Sequence, residues 1–437
     1  MRLVPVAYLS SYVLSLLGNS IAAIALPLLI LQLTGSALSA GILAAATAIP
    51  AVIAGVGMGV VIDRINRRTS SVVTDLISAA AIAALPLVDL VSDLNLGWFI
   101  LFGVLGSLGD VPGMTARETL LPAVVRASGM SAERLIGLRE ALGAVAVLAG
   151  PAAAGGLMIL LDGSTVLWVT AGTSFVAALI TLLIPHRVGA VSPRDAATST
   201  TPSVRRELKE GLVLLFRTSP FLRTMTLVNL IMVVVIAGLQ GLVLPFHFTA
   251  IGEPGLVGFV LSGIAAGTLV GGALYALLGT RGPRRAWFIT GISGMAVGIA
   301  IICLLPPMPV MLTGAVVAGA FSGLVGSLLG VLFLERIPDR MRGRVLGTQN
   351  AIMTLAPSLG IVIAAVITEY WTVGSAGIVF AAVWALAAIG ALVAPALRDL
   401  SRESAVDQAP PAAADDADPA AASRTTCTDP EPAREQQ

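Results

Sequence analysis

Residues 59–68 read Gly-Val-Val-Ile-Asp-Arg-Ile-Asn-Arg-Arg, a charged stretch between two long apolar runs. The runs on either side cover about residues 38–62 and 71–91. A helix that crosses a bilayer needs about 20 apolar residues, because the hydrocarbon core is about 30 Å thick. A short charged segment between two such runs is typical of a loop that joins two membrane-spanning helices.

The composition excludes most classes of soluble protein. Of the 437 residues, 56% are apolar and 12% are charged, and the mean hydropathy is +0.93. Soluble domains carry about 25% charged residues, so this chain lacks the side chains to cover a water-soluble surface. A net charge of +1 without a basic patch excludes nucleic-acid binding. No Ser–His pair, phosphate loop or metal-ligand cluster is visible, so we expect neither an enzyme nor a cofactor or metal.

Twelve apolar runs are long enough to span a membrane. They cover about residues 4–33, 38–62, 71–91, 96–116, 135–161, 164–184, 221–248, 255–279, 286–306, 309–334, 345–368 and 372–396. A membrane β-barrel would show segments of about 10 residues with alternating polarity, which these uniformly apolar runs do not. The sequence predicts an all-α membrane protein with twelve transmembrane helices.

The basic residues fall on one side of the predicted membrane. The 26 Lys and Arg residues lie at the N-terminus, in every second loop, or after the last run. The remaining loops carry acids, namely Asp89, Asp93, Asp162, Glu253 and Glu369. Basic residues concentrate in cytoplasmic loops. We therefore expect both termini in the cytoplasm and the chain in the lipid bilayer of the cell (inner or plasma) membrane.

A long polar segment divides the runs into six and six. Residues 185–220 predict a cytoplasmic linker with a short amphipathic helix. The expected domains are an N-terminal six-helix bundle (1–184) and a C-terminal six-helix bundle (221–397). Residues 398–437 are rich in Ala, Pro, Asp and Glu, which predicts a disordered cytoplasmic tail.

The two halves are related by a shift of 217 residues. Under this shift Arg64, Arg67 and Arg68 fall on Arg281, Arg284 and Arg285, Gly55 falls on Gly272, and Glu118 falls on Glu335. Two homologous, pseudo-symmetric bundles related by an axis along the membrane normal are a transporter architecture, with the substrate path between them. We expect a monomer.

The stretch from Gly59 through Asp63 and Arg64 to Arg68 resembles the loop signature of the major facilitator superfamily (MFS), G-x-x-x-D-R-x-G-R-R. Asn66 replaces its last glycine, and asparagine is the next best residue for a left-handed turn. The resemblance implies that Asp63 meets the N-terminal end of helix eleven and that the arginines hold acids at the base of helix four. These contacts gate the inner face in that family; the alternative is a cluster that only fixes orientation. The proposed gating residues are Gly59, Asp63, Arg64, Asn66, Arg67, Arg68, Arg117 and Glu118.

A second pattern resembles the twelve-span drug-exporter branch, which includes macrolide-efflux and enterobactin-export proteins. It comprises the segment 114–125, the segment 134–141, and the run Gly150-Pro151-Ala-Ala-Ala154-Gly155 in the fifth helix. The last run resembles the antiporter motif. Proline bends a helix, and glycine and alanine allow close approach. The alternative is ordinary tight packing.

Few ionisable groups stand inside the predicted spans, where each is costly and a candidate for function. Asp75, Asp110 and Glu140 are the candidates for proton coupling. For Asp110 and Glu118 a salt-bridged gating role is favoured over proton carriage. Asn19 stands where many similar exporters carry an acid, and asparagine cannot titrate. This leaves open an uncoupled facilitator or importer.

Other polar residues in the spans are candidates for the substrate cavity, although each alone is more often a residue that forms hydrogen bonds between helices. They are Asn19, Gln32, Asn229, Gln240, Gln349 and Asn350. The resemblance and the scarcity of buried charge predict an exporter of hydrophobic or amphiphilic small molecules, working by alternating access as a proton antiporter. A lipid translocator and a non-transporting membrane sensor are the remaining alternatives.

Overall fold

The computed structural model describes residues 3–62, 65–190, 212–213, 216, 220–278, 281, 283–336 and 339–397. In these residues the regular structure is helical, and twelve helices are long and apolar enough to cross a membrane. They are α1 (Leu3–Thr34), α2 (Ala37–Ile62), α3 (Arg67–Asp89), α4 (Leu96–Ser128), α5 (Ala132–Leu160), α6 (Gly163–Leu182), α7 (Pro220–Ala250), α8 (Leu256–Leu278), α9 (Arg284–Cys303), α10 (Met308–Arg336), α11 (Asp339–Tyr370) and α12 (Val373–Val393). The predicted twelve-helix membrane fold is confirmed. The charged part of the linker and the tail of residues 398–437 lie outside the described residues.

Polar loop residues fix where several helices begin. Asn66, Asn95, Ser131, Asp162 and Thr372 precede α3, α4, α5, α6 and α12. The side-chain oxygen of each accepts a hydrogen bond from a backbone N–H in the first helical turn. These bonds satisfy N–H groups that a helix leaves without partners.

Asn66 does not adopt the predicted left-handed turn. Its φ of −60° and ψ of 119° are those of an extended residue. Its Oδ1 accepts hydrogen bonds from the N–H groups of Arg68 and Thr69 at 3.1 and 3.2 Å. The expectation of a left-handed turn was wrong because Asn66 acts as an N-cap, and that role requires an extended backbone.

Helix α4 extends twelve residues beyond the predicted run, which stopped at residue 116. It continues to Ser128 and ends at Gly129, whose φ of 70° is left-handed. The predicted run stopped where the charges Arg117 and Glu118 begin, whereas a helix continues as long as its backbone hydrogen bonds can form. The extension places Arg117 within a helix, not in a loop.

Helix α7 contains a π-helical turn at Leu239–Val243. Pro245 lies two residues after the end of this turn and has no N–H to donate to the preceding turn. The N–H of Leu244 bonds to the carbonyl of Leu239, which gives the wider i→i−5 spacing. Such a turn changes the directions in which the neighbouring side chains point, so this segment of the C-terminal half departs from regular α-helical geometry.

The helices pair in the same way in both halves of the chain. In α1–α6 the main pairs are α1 with α5 and α6, α3 with α4 and α6, and α2 with α4. In α7–α12 they are α7 with α11 and α12, α9 with α10 and α12, and α8 with α10. The second set is the first set shifted by six helices.

The two ends of the helices carry different charges. Asp89, Asp93, Asp162, Glu253 and Glu369 lie at the ends or in the loops of one side, which we call the acidic end. The arginines that start α3 and α9 lie at the opposite side, which we call the basic end.

Candidate functional site

A buried ion pair joins α3 to α4 near the middle of the N-terminal half. Arg117 donates through one guanidinium nitrogen to Oδ2 of Asp75. Each side chain keeps only 5% of its surface exposed. The other carboxylate oxygen of Asp75 accepts a hydrogen bond from Ser15 Oγ of α1 at 3.1 Å. The pair therefore ties three helices together where water has little access.

Glycines on α4 allow this close approach. A Cβ on Gly109 would lie 2.7 Å from the Thr74 carbonyl oxygen, and one on Gly113 would lie 3.0 Å from Thr74 Oγ1. Any larger residue would push α4 away from α3. The register of the two helices then places Arg117, one turn beyond Gly113, against Asp75.

Asp110 lies on the same interface, two turns from Arg117 along α4 toward the acidic end. Its Oδ1 accepts a hydrogen bond of 2.6 Å from Ser78 Oγ, and Ser78 is buried. Asp110 belongs to none of the ion pairs found among the described residues. The interface thus holds one paired carboxylate and one carboxylate bound to a hydroxyl.

A second arginine lies beside the pair, on α5. The Arg139 guanidinium carbon lies 4.9 Å from the centre of the Tyr12 ring, a cation–π geometry. Arg139 also lies 3.4 Å from the carboxylates of Glu118 and Glu140, both of which are exposed. Two of the predicted acids therefore contact one arginine.

These groups surround a cleft between α1, α4 and α5. Its lining residues are Tyr12, Ser15, Leu16, Asn19, Met114, Arg117 and Arg139. Tyr12 was missed by the sequence reasoning, because it carries no charge and stands in no motif, and Met114 was noted only as the first residue of the segment 114–125. Their position becomes evident only from the packing of α1 against α4 and α5.

The antiporter-like run of α5 packs directly on α8. A Cβ on Gly155 would collide with the carbonyl oxygen of Gly255 and lie 3.1 Å from the Cα of Gly258. A Cβ on Gly258 would collide with the carbonyl oxygen of Pro151. Ser262 Oγ donates to the Leu148 carbonyl at 2.8 Å. This run therefore joins the two halves in the part of α5 nearer the acidic end.

The remainder of that run lies in the same crowded region. Ala154 is fully buried, and a Cβ on Gly150 would collide with Ser20 of α1. The run thus touches α1 on one side and α8 on the other.

The gating motif is described in part. Asp63 and Arg64 lie outside the described residues, and Gly59 lies in α2. Asn66 Nδ2 donates to the His186 carbonyl at 2.9 Å, and Arg68 donates to the Leu182 carbonyl at 2.7 Å. These bonds attach the start of α3 to the end of α6. Arg67, the first residue of α3, is half-buried.

Of the predicted cavity residues, Asn19 lines the cleft described above, and the others lie at separate places in the molecule. Gln32 lines a cavity at the acidic end between α1, α4 and α6. Gln240 lines an apolar pocket between α7, α8, α9 and α10. Asn229 Nδ2 lies 3.5 Å from the sulfur of Met353, and Gln349 is 9% exposed. The side chain of Asn350 lies outside the described residues.

Comparisons with known proteins match most of the chain. A family model described as Major Facilitator Superfamily matches residues 8–254 and 237–425. Multidrug efflux pump Tap of Mycolicibacterium fortuitum is 30% identical over 390 residues, covering 89% of this chain and 94% of that protein. Macrolide efflux protein A of Streptococcus pyogenes is 25% identical, covering 81% of this chain and 87% of that protein. The crystal structure of the nucleoside transporter NupG superposes with a TM-score of 0.68 at 14% identity, over 89% of this chain and 98% of that one.

Proposed function

Because the chain belongs to the Major Facilitator Superfamily, we propose that it exports drugs or other amphiphilic small molecules from the cell by alternating access. It is a multi-pass membrane transporter rather than an enzyme. The observation that carries the export proposal is the 30% identity to a multidrug efflux pump along nearly the whole length of both proteins. The proposed location is the inner or plasma membrane of a bacterium, with the basic end in the cytoplasm.

The contacts between the halves support alternating access between two six-helix bundles of one monomer. The α5–α8 contact and the α2–α11 contact both lie toward the acidic end. Under the proposed orientation, this arrangement is a state closed toward the outside. Export requires these contacts to separate so that the substrate can leave.

Proton antiport is the coupling that the buried pair supports best. A buried ion pair is strongly destabilised when one partner loses its charge, because the other charge is left unpaired. A proton on Asp75 would leave Arg117 without a counter-charge. Arg117 would then need a new partner, and α4 would shift against α1 and α3.

Asp110 is the second candidate, and its proposed role differs from the gating role favoured by the sequence. Its hydroxyl partner Ser78 can donate to the carboxylate or accept from the protonated acid. Proton exchange there changes the charge of the interface without breaking an ion pair. Asp75 is therefore the proposed switch, and Asp110 the proposed neighbouring exchange site.

The residues that line the pocket and the cleft support an amphiphilic substrate. The pocket at the π-helical turn is mostly apolar, with Gln240 and Ser322 as its polar members. The cleft beside the ion pair adds Tyr12 and Asn19. Apolar walls with few polar groups suit an amphiphilic compound better than a sugar or a phosphate.

The test uses inside-out vesicles that are acidified inside and given a panel of lipophilic drugs. We expect each transported drug to cause proton efflux that requires the protein. Asp75→Asn should abolish both drug accumulation and drug-induced proton efflux. Asp93→Asn, which neutralises an exposed acid at the acidic end, is the matched control and should retain both.

Drug uptake that requires the protein but causes no proton efflux would contradict antiport and support a facilitator. Absence of any drug movement across the panel, with the protein correctly inserted, would contradict drug export.

A further inference from the structure

Glu369 stands one residue before the end of α11, and its carboxylate contacts the first turn of α2. Ser36 Oγ lies 3.2 and 3.1 Å from the two carboxylate oxygens, to which it donates. The backbone N–H of Leu38 donates to Oε2 at 3.1 Å. Ser36 also accepts from the N–H of Ser39 at 3.4 Å. A residue of the C-terminal half thus shares in capping a helix of the N-terminal half.

The same face of α11 packs on α2 one turn further from the acidic end. A Cβ on Gly41 would collide with the side chain of Ala365 and lie 3.7 Å from the Cα of Val362. Ala365 is fully buried. Val362, Ala365 and Glu369 recur at helical spacing on one face. Glu369 therefore closes the exposed end of a tight contact between the halves.

The contact is favourable for a charged group. The first N–H groups of α2 point along the helix axis and carry partial positive charge, so an anion is stabilised there. Among the described residues, Glu369 belongs to none of the ion pairs found. Its hydrogen-bond partners there are a hydroxyl and a backbone N–H, both of α2's first turn or cap.

We propose that Glu369 is a latch that holds the acidic end closed by capping α2 from α11. The capping bonds must break before the acidic end opens, because they join the two halves that move apart. This proposal rests on alternating access as proposed above. It assigns Glu369 a positioning role: it contacts α2, not the substrate.

The latch is tested by the distance between two nitroxide labels at the acidic end. Leu90 and Leu304 are 79% and 76% exposed, follow α3 and α9, and are not among the contacts of Glu369. The full chain with Cys303→Ala, Cys427→Ser, Leu90→Cys and Leu304→Cys is labelled, placed in lipid nanodiscs and measured by double electron–electron resonance.

The short distance between the labels belongs to the state closed at the acidic end and the long distance to the open state. Glu369→Ala should lower the ratio of the closed to the open population by about three- to tenfold, because a charged acceptor and its interaction with the helix end are lost. Glu369→Gln keeps one acceptor oxygen and should give an intermediate ratio. Asp89→Ala is the matched control. It removes a hydroxyl–carboxylate bond of 2.6 Å to Ser164 within one half, and the ratio should not change.

An unchanged ratio in Glu369→Ala would overturn the latch. An equal change in Asp89→Ala would also overturn it, because the effect would then follow from lost charge at the acidic end alone.

Drug transport by the same variants separates this proposal from the proposed function. Glu369→Ala should spend less time in the state closed at the acidic end, so its KM for drug supplied at the basic end should rise. Failure of the unmutated protein to move any drug would contradict the proposed export, while the distance measurement would still decide the latch.

Discussion

The two halves of the molecule pair their helices in the same order but place different chemistry at one equivalent interface. In the N-terminal half, α3 and α4 enclose Asp75 and Arg117, the buried charged side chains of the described residues. The shift of 217 residues puts Ile292 at the position of Asp75 and Leu334 at that of Arg117. Ile292 is fully buried in the apolar core.

The packing of the two interfaces also differs. On α4, Gly109 and Gly113 make room for Thr74 and other polar side chains of α3. In the C-terminal half glycines of α9 make room for apolar side chains, since a Cβ on Gly291 or Gly294 would collide with Val325 or Phe321 of α10. Apolar side chains thus suffice for this helix pair. The fold thus accommodates an uncharged helix pair at the equivalent place, which favours a role in transport for the charges of the N-terminal interface.

The largest effect is expected from removing one member of the pair. Asp75→Ala leaves the Arg117 guanidinium buried without a counter-charge, which should cost about 3–5 kcal/mol of stability. Thermal unfolding in detergent measures this loss. Asp93→Ala, at an exposed acid, serves as the control. A loss below about 1 kcal/mol would show that the pair is not buried as described.

A charge placed in the other half should have a somewhat smaller but still severe effect. Ile292→Asp introduces a carboxylate at the equivalent position, where α10 carries Leu334 in the place of Arg117. An acidic residue at the centre of a span costs about 2.5–3.5 kcal/mol on insertion scales. Ile292→Val is the size control. If the Ile292→Asp variant is found folded in the membrane in normal amounts, the proposed difference between the two interfaces is contradicted.

A moderate effect is expected where the halves meet. Gly155→Ala forces a Cβ against the Gly255 carbonyl oxygen, so it should destabilise the α5–α8 contact by about 1–3 kcal/mol. The neighbouring Gly156→Ala is the matched control, because no atom lies within 4 Å of its added Cβ. Accessibility of the acidic end to a membrane-impermeant thiol reagent, measured at Ala365→Cys in the contact between α2 and α11, should rise only in Gly155→Ala, because Ala365 is fully buried. Equal accessibility in both variants would mean that this contact does not hold the halves together.

The sequence predicted the helices well because a membrane span has a minimum apolar length. It also identified Asp75 and Asp110 as unusual, since a carboxylate in a span is costly. It did not predict the partner of Asp75. That partner depends on the register of α3 against α4, which Gly109 and Gly113 set through packing that no local pattern encodes.

The positions of two other residues were also not predicted, because they depend on how the helices are built and packed. Arg117 was grouped with a loop because the apolar run stopped before it, whereas α4 continues to Ser128. Glu369 was noted only as an acid on the less basic side. Its contact with Ser36 joins residues 333 positions apart, so only the assembled helices reveal it.

The central claim is that the buried pair of the N-terminal half converts drug binding into proton release. The direct measurement is the number of protons released when a transported drug is added to purified protein in weakly buffered detergent, followed with a pH-sensitive dye. At a pH at which Asp75 carries its proton before drug is added, the unmutated protein should release up to about one proton per bound drug, because binding and protonation are linked reciprocally. The double variant Asp75→Ile with Arg117→Leu, which copies the C-terminal half, should fold and bind drug but release none. Equal proton release by this variant would contradict the claim.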